Sequence, residues 1–217
     1  MPPIRKLVVS AEVYAAIKRS LFEGEWAPGE RIDRKLLAER FGISQTPVND
    51  ALNRLTGEGL IDNRSRDGFF APLYDDAELA DLFAARAGLE SIAARLCAEG
   101  ATKADKRTLA AIFSGFGDTI KPGSEAAYLA ADKRFHRLVL EISGSVRLNE
   151  VEATFGIAGR SYEHGLVRSP GDTLSEHRAI VDAILAGDGR AAQLAMAEHL
   201  LATRRNLLAS AGKKARA

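Results

Sequence analysis

PGERIDRKLLAERFGISQTPVNDALNRLTGEGLI, residues 28–61, holds two short helical patterns joined at a glycine. In the first, Leu36, Leu37 and Phe41 recur at helical spacing and Gly42 ends the run. Ser44 stands where a helix N-cap belongs, its hydroxyl able to accept from a free backbone N–H of the next turn. Pro47 falls in that first turn, where a missing N–H costs nothing. Val48, Ala51, Leu52 and Leu55 then form an apolar stripe that Gly59 stops. Two short helices joined at a glycine turn, the second with a polar start, make the arrangement that lays a helix into the major groove of DNA. A three-helix domain with no nucleic acid partner is the alternative.

The flanks agree with the DNA reading. Residues 8–22 pattern as an amphipathic helix with Val13, Ile17 and Leu21 inward. Leu60-Ile61 reads as a short strand and Gly68-Phe69-Phe70 as its return, with Arg64 and Arg66 in the tip between them. That composition suits a wing lying on phosphates. Residues 1–73 are therefore expected to form a winged helix-turn-helix, three helices plus a small β-wing. They hold 11 Lys+Arg against 10 Asp+Glu, and the remainder holds 19 against 19, so no general basic field exists. A grip on DNA must come from local placement of Arg34, Lys35, Arg54, Arg64 and Arg66. Ser44, Gln45, Thr46 and Asn49 at the start of the second helix, with Gly68 on the wing, complete the candidate DNA surface. A homodimer would double these contacts, and without one affinity should be modest and salt-sensitive.

Composition bounds the rest. A chain of 217 residues, 46% hydrophobic and 27% charged, has room for two globular domains with real cores. No apolar run of about 18 residues is present, so no membrane span is expected, and residues 1–6, MPPIRK, contain no stretch of signal-peptide length. The single cysteine, Cys97, rules out an internal disulfide framework and reads as a helical core residue. A cytoplasmic protein is expected.

From Tyr74 onward no strand alternation is visible. Helical patterns cover residues 77–97, 103–120, 124–142, 147–162, 173–185 and 189–208, separated by Gly-, Pro- and Ser-rich breaks. Short connections predict an all-α antiparallel bundle over 74–212, followed by a frayed basic tail at 213–217. The expected chain is thus mainly α: a winged domain and then a helical bundle.

Polar residues that interrupt apolar faces carry the chemistry. In the first bundle helix Leu79, Leu82, Leu89, Ala93 and Leu96 form a stripe with Arg86 in its middle. A guanidinium facing a core needs an anion. Either Glu90 supplies it as an internal salt bridge, or a ligand carboxylate does. In the third, the inward positions are Leu129, Asp132, Phe135, His136, Val139 and Ile142, with Asp132 and His136 one turn apart on one face. His177 lies on the inner face of the next-to-last helix and His199 on that of the last. Asp132, His136, His177 and His199 offer one oxygen and three imidazole nitrogens. That set suits zinc first, with nickel, manganese or iron as alternatives, and not calcium or magnesium. Hydrogen-bonded core histidines are the bland alternative. His164, near a helix end, is set aside as a surface residue.

Over its first seventy residues, the pattern PGERIDRKLLAERFGIS.TPV..AL..L..EGLI with GFF resembles the N-terminal domain of the GntR family of bacterial transcription regulators. RAGLESIAARL, DKRFHRLVLEISG, SEHRAIVDAILAGD and AMAEHL resemble the FCD ligand-binding domain of its FadR-type branch, so the likeness covers nearly the whole chain. The resemblance implies a metal at Asp132, His136, His177 and His199, a small carboxylate effector beside it, and Arg86 close by. The chain departs from the family where Gln45 and Asn49 replace two arginines that commonly touch DNA, Asp50 replaces a glutamate, and Lys35 stands in place of a further arginine. Gln and Asn pair best with adenine and Arg with guanine, so a palindromic operator of different sequence is implied.

These readings converge on a DNA-binding transcription regulator, not an enzyme, controlled by a carboxylate bound beside a divalent metal. Two alternatives remain: a metal-dependent enzyme fused to a winged helix, for which no positioned base or nucleophile is visible, and a regulator with weakened DNA binding that acts through protein contacts.

Overall fold

A computed structural model describes residues 4–64, 67–117, 120–162 and 165–214 of the chain, with side chains between 10 and 212. Two compact units form, residues 1–74 and 75–217. In the first, α1 (Ile4–Glu23), α2 (Arg34–Phe41) and α3 (Gln45–Gly57) pack around Val13, Ile17, Leu21, Val48, Leu52 and Leu55. Asp33 caps α2, its carboxylate accepting from the backbone N–H of Lys35 and Leu36. At its other end Gly42 adopts φ +65°, and Ile43 N–H reaches back to the carbonyl of Ala38 at 3.0 Å. Gly59, at φ +69°, closes α3 in the same way and delivers Leu60 into the core, with Leu60 N–H on the carbonyl of Leu55 at 2.9 Å. A residue with a Cβ would be strained at either turn.

Several local expectations change here. Ser44 sits at the N-cap of α3 but makes no side-chain cap bond. Leu36 is exposed, leaving Leu37 and Ala38 as the buried positions of α2. Leu60 and Ile61 are buried at a helix exit and not in a strand. The strands are β1 (Arg31–Ile32), β2 (Asp62–Arg64) and β3 (Gly68–Phe70), in antiparallel order β1-β3-β2, with Asn63 and Ile32 both opposite Phe69. β1 was invisible in the sequence because two residues carry no periodicity. Ser65 and Arg66 lie outside the described residues.

The second unit contains α4 (Asp76–Gly100), α5 (Lys103–Ile112), α6 (Glu125–Ile142), α7 (Val146–Phe155), α8 (Ile157–Ser161), α9 (Pro170–Ala186) and α10 (Gly189–Lys214). Asp75 and Glu78 form a capping box on α4, and Thr102 with Asp105 another on α5. A Cβ on Gly189 would come within 3.1 Å of Arg95 Cγ, so the start of α10 lies against the end of α4 and the two run antiparallel. The pattern expected over 103–120 ends at Ile112: Phe113 turns into the core and stacks on the His177 ring, centroids 4.9 Å apart. The pattern over 147–162 is two helices, broken where Gly156 takes φ +57°. Helix α10 continues to Lys214, into the expected tail, and residues 215–217 lie outside the described part. Cys97 is wholly buried, and burial pushes its thiol up to about 12, as befits a core residue. No helix among the described residues is long and apolar enough to cross a membrane.

Candidate functional site

The buried face of α4 is rotated from the expected stripe: Leu82, Leu89 and Leu96 are only half-buried, while Phe83, Arg86, Glu90 and Cys97 face inward. On α6, Tyr128 is fully buried and Leu129 is not, so the inward row reads Tyr128, Asp132, Phe135, His136, Val139. With Thr173 and His177 from α9 and His199 from α10, these rows converge on one point. Ligating atoms of His136, His177 and His199 all lie within 4.8 Å of one another, and all three residues are buried. Asp132 borders them, with Oδ1 3.6 Å from His136 Nε2 and Oδ2 3.7 Å from His177 Nε2.

Each imidazole is oriented through Nδ1. His136 Nδ1 bonds the Glu90 carboxylate, and His199 Nδ1 bonds Glu176 Oε2 at 2.7 Å. A carboxylate accepts, so in both rings Nδ1 carries a hydrogen and Nε2 is the nitrogen turned away from that partner. For His177 the tautomer follows from a chain of hydroxyls. Thr173 Oγ1 donates to the carbonyl of Ser169 (3.2 Å), so it accepts from Tyr128 OH (2.8 Å). Tyr128 therefore accepts from His177 Nδ1 (2.8 Å). His177 Nε2 then faces Asp132 and His136. The Nε2 atoms of His136 and His177 are 3.2 Å apart. Two nitrogens bound at about 2.0–2.1 Å to one ion would be separated by about 2.8–3.0 Å in octahedral and about 3.3–3.4 Å in tetrahedral geometry, so the spacing of this pair fits a transition metal.

Burial disfavours charge on two of the imidazoles. Burial, reinforced by His199 and His136, holds His177 well below the ordinary histidine range; burial also lowers His199, although Glu176 opposes it. Burial works against the charge on Glu176, but the bonds from His199 and Arg168 outweigh it and bring the carboxyl down to about 2.

Arg86 is wholly buried and makes the internal salt bridge: Nε to Glu90 Oε1 (2.5 Å), Nη2 to Glu90 Oε2 (3.4 Å) and to Tyr162 OH (3.2 Å), and Nη1 to Ser161 Oγ (2.9 Å). Tyr162 OH in turn donates to Asp132 Oδ1. Tyr128, Thr173, Tyr162 and Glu176 were not selected from sequence as parts of this site, and Glu90 was weighed there only as the partner of Arg86. The signal for three of them was present: Glu90 lies one turn from Arg86, Tyr128 one turn from Asp132, and Glu176 precedes His177. His164 lies outside the described residues.

The DNA-facing candidates are brought together in part. Ser44, Gln45 and Thr46 are exposed at the start of α3, and Asn49 follows one turn on. Arg34 Nη1 donates to Asn49 Oδ1 at 3.3 Å, with its guanidinium 5.9 Å from the Phe69 ring. Arg34 thus bridges the helix and the wing. Lys35 is exposed beside Glu39, and Arg64 leans on the Phe70 ring at 4.4 Å. Gly68 takes φ +102°, with the Arg31 guanidinium 3.7 Å from where a Cβ would stand. That puts Arg31, passed over in the sequence, beside the wing. Arg54 stands apart: nine residues on from Gln45, it lies about 180° around the helix, bonded to Glu58 (3.0 Å) with its guanidinium 3.8 Å from the Tyr14 ring.

Comparisons with known proteins match both units. The family described as FCD domain matches residues 81–202, and the family described as bacterial regulatory proteins, gntR family, matches residues 9–71. The chain is 27% identical over 205 residues to the probable D-xylose utilization operon transcriptional repressor of Paenarthrobacter nicotinovorans, across 92% of this chain and 88% of that protein. It is also 27% identical over 205 residues to the HTH-type transcriptional repressor GlaR of Escherichia coli (strain K12), across 89% and 93% respectively. Among solved structures it superposes on E. coli McbR/YncC with a TM-score of 0.70 at 21% identity, covering 93% of this chain and 98% of that one, a likeness of fold.

Proposed function

The chain belongs to the GntR family of bacterial regulatory proteins, in the branch that carries an FCD domain, and on that footing we propose that its operator binding is controlled by a small carboxylate held beside a divalent metal. Asp132, His136, His177 and His199 would hold the ion, zinc first among the candidates. The observation that carries this reading is the set of three buried imidazoles, each with Nδ1 hydrogen-bonded to a protein side chain and with ligating atoms that converge within 4.8 Å. Such outer partners fix ring orientation and raise ligand basicity. When bound, the ion supplies positive charge that a carboxylate can meet. The protein's own part is to orient the donors and exclude bulk water.

A homodimer on a palindromic operator completes the proposal. On α4, Leu82, Leu89, Ile92 and Leu96 follow heptad spacing and are left partly or fully exposed; on α10, Leu194, Leu201 and Leu208 do the same. Arg204 lies in the α10 row, and its Nε is buried without an acceptor among the described residues. A polar group in an apolar seam sets register between two copies.

The test is a binding experiment. Sites selected from random DNA should be palindromic, and the metal-loaded protein should change its operator affinity about 5- to 150-fold, a coupling of about 1–3 kcal/mol, when acetate, lactate or succinate is added. No enrichment at low salt would favour the non-binding regulator. Operator affinity indifferent to metal and to every acid would refute effector control, and turnover of any of these acids would favour the enzyme.

A further inference from the structure

We infer that Arg168, rather than Arg86, is the side chain that receives the effector's carboxylate, and that the same guanidinium ties the filled cavity to His199 through Glu176. This rests on the carboxylate reading above. The cavity beside the histidines is lined by Phe83, Arg86, Asp132, Leu166, Val167 and Arg168, among others, so two guanidiniums border it. An arginine has five N–H donors. Arg86 spends four on Glu90, Ser161 and Tyr162 at the bottom of the site, where it is 1% exposed. Arg168 spends two, one from each Nη, on the two oxygens of Glu176 at 2.8 and 2.7 Å. Its Nε–H and the outer N–H of each Nη make no hydrogen bond among the described residues. Moving Arg86 would strip a buried carboxylate and two hydroxyls of their partner. Moving Arg168 exposes only Glu176, whose side chain is already 30% accessible and can be hydrated.

Volume points the same way. The cavity is about 30 Å³, room for about two waters and not for a carboxylate, so a wall must yield as an acid enters. Four walls are helices, α4, α6, α9 and α10, and Tyr162 at the end of α8 is held by Arg86 and Asp132. The remaining described wall, residues 165–168, has no regular structure and ends on Arg168, directly before the α9 N-cap Ser169. An acid that takes Arg168 from Glu176 therefore pulls on the start of α9 and on the residue that orients His199. With Phe83, Leu166 and Val167 also among the lining residues, the fitting ligand is a short carboxylate with a small apolar body.

Calorimetry and thermal unfolding of the full-length, metal-loaded protein with acetate, propionate, lactate and succinate test this, alongside elemental analysis. Arg168→Ala should weaken the best acid about 10- to 100-fold, as expected for loss of a charged hydrogen-bond partner, with metal content unchanged. Arg168→Lys should fall between. Glu176→Gln keeps an acceptor for His199 but removes the competing charge, so it should bind the acid more tightly. An acid response in both Arg168 variants equal to the parent's, or loss of the metal from Arg168→Ala, overturns the assignment while leaving the carboxylate reading intact. Should no acid bind the parent, that reading falls and this one with it.

Discussion

Arg86 Nε donates to Glu90 Oε1 across 2.5 Å, one turn apart on α4, with neither side chain open to solvent. The other Glu90 oxygen takes His136 Nδ1. One buried carboxylate thus neutralises a core cation and fixes the tautomer of a candidate metal ligand. Burial opposes its charge, but Arg86 and His136 hold Glu90 well below the usual carboxylate range.

Glu90→Ala should be among the most damaging single changes in the second unit. Leaving a buried charge without its partner costs about 3–5 kcal/mol, measurable by urea unfolding. Glu90→Gln, which keeps the shape, should lower metal affinity about 10- to 100-fold in competition with a chelator. A metal affinity unaltered in Glu90→Gln would refute the orienting role.

Tyr128→Phe separates orientation from packing. The ring, fully buried beside Phe113 and Phe116, is retained, so the fold should survive with a loss of about 1–3 kcal/mol from the unmet Nδ1 and Thr173 groups. His177 then loses the acceptor that sets its tautomer, and metal affinity should drop about 10- to 100-fold. His177→Ala with His199→Ala should abolish binding by elemental analysis.

The Tyr14–Glu58 bond, 2.5 Å between α1 and the end of α3, predicts a pH window for the first unit. Burial, then Glu58, raises Tyr14 to about 12, so its contribution is complete below the unfolded value of 10.0 and is lost as pH climbs toward 12. Burial opposes ionisation of Glu58, but Tyr14, Arg54 and Lys18 prevail and lower it; its contribution is complete above 4.5 and is lost on acidification. Trp26, the single tryptophan, packs on this core and reports its unfolding. Tyr14→Phe should flatten the alkaline limb; an unchanged limb would contradict the assignment.

Ser44 and Asp33 occupy equivalent cap positions with different duties. Asp33→Ala removes two cap bonds and should cost about 1 kcal/mol. Ser44→Ala removes none and should leave stability within about 0.5 kcal/mol while weakening DNA binding, because its exposed hydroxyl remains for a phosphate. Equal stability losses in the two variants would place Ser44 in the fold rather than at DNA.

Gln45 and Asn49 should select A·T pairs, since each amide can accept from the adenine amino group and donate to its ring nitrogen. Arg34 already occupies one lone pair of Asn49 Oδ1, so Arg34→Ala should blur preference at the Asn49 position as well as weaken binding. Gln45→Arg with Asn49→Arg should raise non-specific affinity, steepen the salt dependence by about two charges per domain, and shift preference toward guanine. Selection of G·C by the parent would contradict this.

Helical spacing, glycine stops and cap residues were enough to read the two helices around Gly42, the absence of strands among the described residues after Tyr74, and the inward placement of Asp132, His136, His177 and His199. These are local or periodic signals, written in single segments. Tertiary structure alone decided the rest. It paired β1 with β3 across some forty residues, turned α4 so that Phe83 and Glu90 face inward where Leu82 and Leu89 were expected, and folded Phe113 onto His177 instead of extending α5. It also chose between two acceptable partners for Arg86, giving it Glu90, and gave each histidine its Nδ1 partner. A periodic pattern fixes which side of a helix is apolar to within about one residue, 100° of rotation. A hydrogen-bonded cluster depends on ångström distances between segments, and these exist only once the helices have packed.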